Sequence, residues 1–183
     1  MVGDALVLVK AAAIEATAII AIEKAEEVLA RHGKETVRKS QNFLLDPGIS
    51  VVREAALARG FPVHAMHDPT EGGVATGIRE ICKASKSGAL VEAGAIEVLP
   101  QTEALCRQFG IDPLGAISSG ALLLTLPPEA ALELVREYGN AGVQAAIIGK
   151  ILPSELGLQL RGADGKVGPL PSFVTDEIAK LYA

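Results

Sequence analysis

The apolar positions of the chain follow two periods, and together they predict seven strands and six helices. Continuous apolar runs at Ala5–Val9 and at residues 121–126 are typical of strands covered on both faces. From Ile14 to Leu29 the apolar residues instead recur at helical spacing, with charged residues on the other face. The predicted order is strand, helix, helix, strand, helix, strand, helix, strand, helix, strand, hairpin and helix.

Glycines, prolines and polar stretches set the expected boundaries of these elements. Gly33 is expected to end the first helix, and residues 34–42 to form a polar connector. Residues 88–100 read as a strand that Pro100 stops, and residues 157–168 as a hairpin with a Gly-rich turn. Further helices are predicted near residues 49–59, 69–86, 102–109, 127–138 and 174–181. No linker or repeat divides the pattern, so we expect one α/β (α+β) domain over residues 1–183, with a mixed sheet flanked by helices.

Composition narrows the function classes. The formal charge is -5, no Lys or Arg cluster is present, and the aromatic residues are four Phe and two Tyr, so no nucleic-acid partner is expected. No apolar run is long enough for a membrane span, so no membrane partner is expected either. Cys82 and Cys106 lie in helical patterns without a disulfide spacing, which favours buried thiols in a cytoplasmic protein.

The stretch "HDPTEGG", residues 67–73, lies between an extended apolar run and a helical pattern. Asp68 is a suitable N-cap, Pro69 would occupy the first helical position, and Glu71 has the spacing of a capping box. Such a cap stabilises a helix by roughly 0.5–2 kcal/mol without any further function. On this interpretation the stretch is only a helix start.

Gly72 and Gly73 do not fit a simple cap, because each glycine inside a helix costs roughly 1 kcal/mol relative to alanine. They are useful where another backbone or a ligand must come close. First-turn N–H groups could then bind a phosphate, and Asp68 and Glu71 could hold Mg²⁺ that accompanies it. Both interpretations remain open at this point.

A second candidate is "ISSG", residues 117–120, between a turn-rich loop and a predicted buried strand. The small hydroxyl side chains of Ser118 and Ser119, with Gly120, could line the substrate side of a site. The alternative is an ordinary junction between a loop and a strand.

Three segments together resemble the superfamily of aminoimidazole ribonucleotide (AIR) synthetase. "MHDPTEGGVATGIREIC", residues 66–82, is similar to its motif "M-x-D-P-T-x-G-G-V-A-T-x-x-x-E-[IL]". "GDALVLVKAAAIEATAIIA" and "DPLGAISSGALLLTLPPE" resemble the opening and a later part of the second domain of that superfamily. Among its members the hydrogenase maturation dehydratases look most similar.

The resemblance implies an AIR synthase C-terminal-domain-like fold without the N-terminal ATP-binding domain. That domain would be a partner, with ATP and Mg²⁺ as shared cofactors, a small molecule or a protein tail as substrate, and a homodimer as the expected assembly. Four residues match the family motif around the nucleotide phosphates and substrate: Asp68, Thr70, Gly72 and Gly73. The resemblance to the thiamine-monophosphate kinase branch, which has an acid at the position of Glu71, adds that residue and implies a metal or phosphate role for Asp68 and Glu71. The resemblance to the dehydratases departs at two points, because the chain ends "IAKLYA" where the dehydratases carry a Pro-Arg-Ile-Cys tail, and Ser119 replaces a glutamate.

Two functions are compatible with these observations. In the first, the domain supplies phosphate-side and substrate-side groups to an ATP-dependent enzyme that activates an amide-type or carbonyl-type oxygen or a phosphate, and it is inactive alone. In the second, it is a non-catalytic dimerisation or ligand-binding module, and "HDPTEGG" is only a cap. If the cap is the whole explanation, replacing Gly72 and Gly73 with alanine should raise stability in chemical denaturation and change nothing else.

Overall fold

Seven strands form one mixed sheet in a computed structural model that describes residues 1–182. Their order across the sheet is β2-β4-β1-β5-β3-β6-β7, and every neighbouring pair is antiparallel except β3 and β6. The strands are β1 (Ala5–Val9), β2 (Ala65–His67), β3 (Gly88–Glu92), β4 (Leu122–Leu126), β5 (Ala145–Leu152), β6 (Leu158–Arg161) and β7 (Val167–Pro169). The predicted mixed sheet flanked by helices is confirmed.

Six α-helices and several short 3₁₀ turns connect the strands. The helices are α1 (Ile14–Glu23), α2 (Ala25–Gln41), α3 (Val52–Leu57), α4 (Gly73–Ser85), α5 (Pro100–Phe109) and α6 (Pro128–Asn140). The chain closes with a 3₁₀ helix at Glu177–Tyr182 rather than the α-helix expected there. Within residues 1–182, none of the helices is both long and apolar enough to cross a bilayer.

The central strand β1 is buried on both faces, as its continuous apolar sequence predicts. Leu6 and Leu8 belong to a cluster that packs the sheet against α4. Val7 and Val9 point the other way, into a cluster that includes Leu134 of α6. Because successive side chains of a strand face opposite sides, one apolar run serves both cores.

A third cluster lies outside the sheet and joins α1, α2 and α5. Ile20, Val28 and Leu105 are fully buried in it, and Leu181 of the closing 3₁₀ helix packs on the same cluster. The C-terminal segment is therefore anchored to the cluster formed by α1, α2 and α5.

The prediction of a polar connector at residues 34–42 is wrong, because helix α2 continues through Gln41. Gly33 does interrupt the helical geometry, with φ 80° and ψ 166°, but the chain resumes its helix afterwards. Lys39 pairs with Glu35 one turn earlier at 2.8 Å, and Val37 packs on the third cluster. The hydrogen bond and charge of Lys39 hold the pKa of Glu35 below its usual value. A polar composition therefore hid a helix supported by an ion pair, by the packing of Val37, and by the Gln41 side chain, which donates to the Ala21 carbonyl at 3.0 Å.

The strand expected at residues 88–100 is also too long. Strand β3 ends at Glu92, where its pairing with β6 ends opposite Arg161, and a 3₁₀ turn follows. Pro100 then begins α5 instead of stopping a strand, since proline is tolerated in the first turn of a helix. The helix predicted near residues 49–59 is shortened in the same way, to Val52–Leu57 followed by a 3₁₀ turn.

Tyr138 provides a test of the core on the α6 side of the sheet. Its side chain is fully buried, its hydroxyl donates to the Glu54 carbonyl at 2.8 Å, and burial raises the pKa of Tyr138 to about 12. Tyr138→Phe should lower the free energy of unfolding by about 1–3 kcal/mol, because the carbonyl is left without its partner. Urea denaturation measures this, and Tyr182→Phe, at an exposed position, should leave stability unchanged. An unchanged midpoint for Tyr138→Phe would contradict the assignment.

Candidate functional site

Helix α4 does not begin where the capping pattern predicts. Its N-cap is Gly72, and Asp68 lies exposed in the loop before it, so the capping-box prediction for Asp68, Pro69 and Glu71 is wrong. Gly72 and Gly73 both have left-handed φ angles, 73° and 65°. A helix that started at Pro69 could not pass through two such residues, because helical geometry requires negative φ.

Gly73 is required by the approach of another segment of backbone. A Cβ atom built on it would lie 2.5 Å from the Leu114 carbonyl oxygen and 2.7 Å from that of Ala116. The Leu114 oxygen also accepts a hydrogen bond from the Ala75 amide at 3.0 Å. The loop before β4 is thus seated directly on the first turn of α4, and this contact rather than a ligand explains the glycine.

The same contact brings the two sequence motifs together. The Ser118 amide donates to the Thr70 carbonyl at 3.2 Å, which joins "ISSG" to "HDPTEGG". Beside this junction lies a cavity of about 600 Å³. Four of the predicted site residues line it: Thr70, Glu71, Gly72 and Ser119. Geometry therefore gathers one half of the candidate residues around a single space.

The remaining candidates lie outside the cavity lining. The Ser118 hydroxyl is fully buried, donates to the Ala116 carbonyl at 2.8 Å and accepts from the Ala13 amide at 2.9 Å, so it holds loops together. Gly120 has φ 102°, and a Cβ on it would lie 2.6 Å from the Gly48 carbonyl oxygen. Asp68 and Gly73 are likewise absent from the lining. The predicted substrate-side and phosphate-side roles of these four residues remain predictions.

A carboxylate from the C-terminal segment occupies the junction between the motifs. Asp176 Oδ2 accepts from the Gly72 amide at 2.7 Å, and Asp176 Oδ1 accepts from the Ile117 amide at 3.2 Å and the Ile178 amide at 2.8 Å. One side chain thus bonds an amide from each motif. The amide of the N-cap residue Gly72, a candidate phosphate donor, already has an anionic partner.

Further contacts fix the C-terminal segment on both sides of Asp176. The Arg79 guanidinium of α4 donates to the carbonyls of Leu170 and Pro171. The Phe173 ring covers Gly115 so closely that no Cβ would fit there. After Asp176, Glu177 accepts from the Asp112 amide at 2.9 Å.

Glu177 is held in its charged form by these contacts. Burial would raise its pKa, but hydrogen bonds from Lys180 and from the Asp112 amide outweigh burial and hold the pKa below its usual value. A lowered pKa means that the stabilisation is present above the unfolded pKa of about 4.3 and is lost as the pH falls through the folded value. Acid strong enough to protonate Glu177 should therefore weaken its contact with the Asp112 amide.

The cavity is lined by carboxylates and small hydroxyls. Its acidic residues are Glu15, Glu71, Glu80 and Asp176, and among residues 1–182 no lysine or arginine lines it. Glu15 Oε2 is shielded from solvent and has no hydrogen-bond partner within that same range. Sequence reasoning missed Glu15 as a lining residue, since its position on a helical polar face gave no distinguishing signal. It missed Asp176 because the last segment was read as an ordinary helix.

The Mg²⁺ prediction receives no support from a preformed cluster. Across residues 1–182 no group of three or more His, Cys, Asp or Glu side chains is placed to hold a metal ion. Glu71 faces the cavity but Asp68 does not, so the expected pair is not brought together there. The residues present do not fit a resident metal, and no chemical step is derived through one.

A second cavity of about 450 Å³ lies near the end of β1 and contains Lys10. The Lys10 ammonium donates to the carbonyls of Gly48 and Ser50, each at 2.8 Å, and burial lowers its pKa. These bonds tie the loop after α2 to the end of β1. The lysine is therefore used in holding that loop, and the sequence motifs lie elsewhere.

The fold and the two-loop cavity define an AIR synthase-type α/β domain. A family model described as "AIR synthase related protein, C-terminal domain" matches residues 1–160, and the chain belongs to this family. Carbamoyl dehydratase HypE of Rhizobium leguminosarum bv. viciae is 30% identical over 135 residues, which are 68% of this chain and 38% of the relative.

Solved structures agree in fold. Hydrogenase maturation protein HypE in complex with ATP gives a TM-score of 0.68 at 22% identity, covering 97% of this chain and 53% of that one. Thiamine monophosphate kinase of Aquifex aeolicus gives 0.65 at 16% identity, covering 92% of this chain and 52% of that one. The chain thus spans about half the length of these solved proteins and less of the curated relative.

The contact at Gly73 predicts the opposite of the capping hypothesis. Gly73→Ala should lower the free energy of unfolding by about 2–4 kcal/mol, because overpacking against two carbonyls adds to the cost of a left-handed alanine. Chemical denaturation measures the change. The matched control is Gly94→Ala, where a Cβ would meet open space and φ is not left-handed. A gain of stability for Gly73→Ala would restore the simple-cap interpretation.

Proposed function

We propose that this domain forms the phosphate-side and substrate-side wall of an ATP-dependent enzyme and is inactive alone. The reaction would activate an amide-type or carbonyl-type oxygen, or a phosphate, by phosphoryl transfer. The observation that carries the proposal is the junction of the two motifs, where Ser118 is bonded to Thr70 and both loops line one cavity. Family membership supports it, since the named relatives include a carbamoyl dehydratase, a kinase and a HypE bound to ATP.

The cavity would act mainly by positioning the phosphoryl group and the substrate relative to each other. Thr70 and Ser119 line it from different loops, and a hydroxyl can donate to an oxygen of a phosphoryl group or accept from an amide. Glu71 adds a carboxylate that could orient an N–H group of the substrate. In phosphoryl transfer most of the catalysis comes from such placement and from charge stabilisation, with little covalent chemistry by the protein.

The positive charge that phosphoryl transfer needs would have to come from elsewhere. The cavity lining holds four carboxylates and, within residues 1–182, no lysine or arginine. A bare triphosphate is therefore disfavoured here by simple electrostatics. ATP would be held largely by an ATP-binding partner domain, and any Mg²⁺ would arrive with the nucleotide. A homodimer and a cytoplasmic location are part of the same proposal.

The specific reaction of the dehydratases is not proposed for this chain. Ser119 stands where the resemblance places a glutamate. Ser119 lines the cavity, so its replacement changes the chemistry available there from a carboxylate to a neutral hydroxyl. We therefore propose the class of reaction and leave the acceptor at the level of an amide, carbonyl or phosphate oxygen.

The test is nucleotide turnover by the 183-residue chain, alone and mixed with an ATP-binding domain from a family member. We expect no ATP hydrolysis by the chain alone and measurable hydrolysis by the mixture. Thr70→Val and Ser119→Ala should each lower kcat/KM of the mixture by roughly 10- to 100-fold, about 1.4–2.7 kcal/mol of transition-state stabilisation. Denaturation midpoints of both variants should stay unchanged, since both side chains face the cavity.

The matched control is Ser154→Ala, which removes an exposed hydroxyl far from this cavity lining. Equal activity for all three variants would reject the proposed roles and favour a non-catalytic module. Turnover by the chain without any partner would contradict the claim that it is inactive alone.

A further inference from the structure

We propose that the second cavity, near the end of β1, binds a small organic cation, an ammonium or amidinium group on an apolar body, and that the Glu54 carboxylate pairs with it. The cavity has a volume of about 450 Å³, which is ordinary for a ligand pocket. It shares no lining residue with the two-loop cavity. The inference therefore goes beyond the proposed function and does not depend on it.

Glu54 of α3 carries a carboxylate that the fold buries without giving it a partner. The residue is only 7% exposed and lines the second cavity. Its backbone carbonyl accepts from the Tyr138 hydroxyl, but no hydrogen bond or salt bridge from residues 1–182 reaches its carboxylate. The oxygens of this carboxylate are not among the unpartnered atoms that are sealed from solvent, so they keep access to the cavity. A buried carboxylate is costly unless a cation or N–H donors meet it, and this free acceptor points to such a ligand.

The two basic side chains beside the cavity are already engaged. The Lys10 ammonium donates to two backbone carbonyls of the loop after α2, each at 2.8 Å. The Arg53 guanidinium donates to the Ala141 carbonyl at 2.7 Å. Burial lowers the pKa of Lys10, and the charge of Glu54 opposes that shift in part, so the two groups lie near each other without bonding. Neither cation therefore neutralises Glu54 by direct contact.

The cavity still offers a ligand acceptor oxygens and apolar surface. Asp46 also lines it, and within the same described range its carboxylate accepts no hydrogen bond. Phe43, Leu99 and Val143 supply apolar walls. A ligand with N–H donors on an apolar body complements both features. A metal ion is less well matched, since across residues 1–182 no group of three or more His, Cys, Asp or Glu side chains is placed to hold one.

The competing explanation is that Glu54 only balances the charge of Lys10. On that explanation the cavity holds water, Lys10 repels an organic cation, and loss of the Glu54 charge affects stability alone. On the proposal a cation binds saturably and the charge of Glu54 is required. The two explanations differ in whether a cation binds at all.

The experiment measures the binding of benzylamine, which is protonated at neutral pH, to the full 183-residue chain by isothermal titration. We expect one saturable site with a Kd of about 1 mM or below. Benzyl alcohol, which has nearly the same shape and no charge, should bind roughly tenfold more weakly. Glu54→Gln should weaken benzylamine binding by roughly 10- to 100-fold, because it removes the charge that meets the ammonium.

The matched control is Glu133→Gln, which neutralises an exposed carboxylate of α6 outside the cavity lining. Its affinity for benzylamine should equal that of the wild type, so that a loss confined to Glu54→Gln is not an effect of net charge. NMR on the wild-type chain needs no variant. Benzylamine should shift the amide signals of Glu54, Leu99 and Val143 with one common affinity and leave those of Thr70 and Ser119 unchanged.

A lysine side chain of another protein could present the same ammonium, and a second probe separates that source. Nα-acetyl-lysine methylamide should bind more weakly than benzylamine, because its long flexible chain loses more conformational freedom. Tighter binding of the lysine derivative would assign the cavity to a protein side chain and overturn the proposal.

Three further results would also overturn it and leave Glu54 as a counter-ion of Lys10. These are no saturable binding of benzylamine by the wild type, equal binding of benzyl alcohol, and unchanged affinity in a folded Glu54→Gln. ATP turnover with a partner domain tests the other cavity, so failure of the proposed function and failure of this inference are distinguishable.

Discussion

The approach of the loop before β4 to the start of α4 is the contact on which the site depends. Two carbonyl oxygens, of Leu114 and Ala116, stand where a side chain of Gly73 would be. Because no Cβ fits, the loop can come close enough for Ser118 to bond Thr70 and for both motifs to line one cavity. The absence of a side chain at Gly73 thus allows two loops that are distant in the sequence to line the same cavity.

The same arrangement changes the meaning of the helix start. A carboxylate does satisfy an amide at the beginning of α4, as capping physics expects, but it belongs to Asp176 rather than Asp68. This partner of the Gly72 amide comes from 104 residues away along the chain, and within residues 1–182 no side chain caps the first turn of α4. The Gly72 amide therefore already has an anionic partner supplied by the fold, which is the kind of partner that the positive end of a helix favours.

Several elements were predictable because their signals are local. Continuous apolar runs fixed β1 and β4, and the turn chemistry of residues 157–168 indicated the hairpin of β6 and β7. The second half of α2 was missed, because an ion pair and one contact to a distant cluster support it against a polar composition. The pair Gly72 and Gly73 was recognised as unusual for a helix start. The sequence left open whether a ligand or another segment of backbone packs against these glycines.

The sequence by itself determined the class of fold and the two loops that hold the candidate site residues, because apolar periodicity and motif spacing are local features of the chain. Only the tertiary structure decided which candidates lie together: Thr70, Glu71, Gly72 and Ser119 line one cavity, and the Ser118 hydroxyl is bonded between two loops outside that lining. It alone brought Asp176 to the motif amides. Contacts between segments so far apart along the chain have no local signal, since they depend on how the whole sheet and its helices pack.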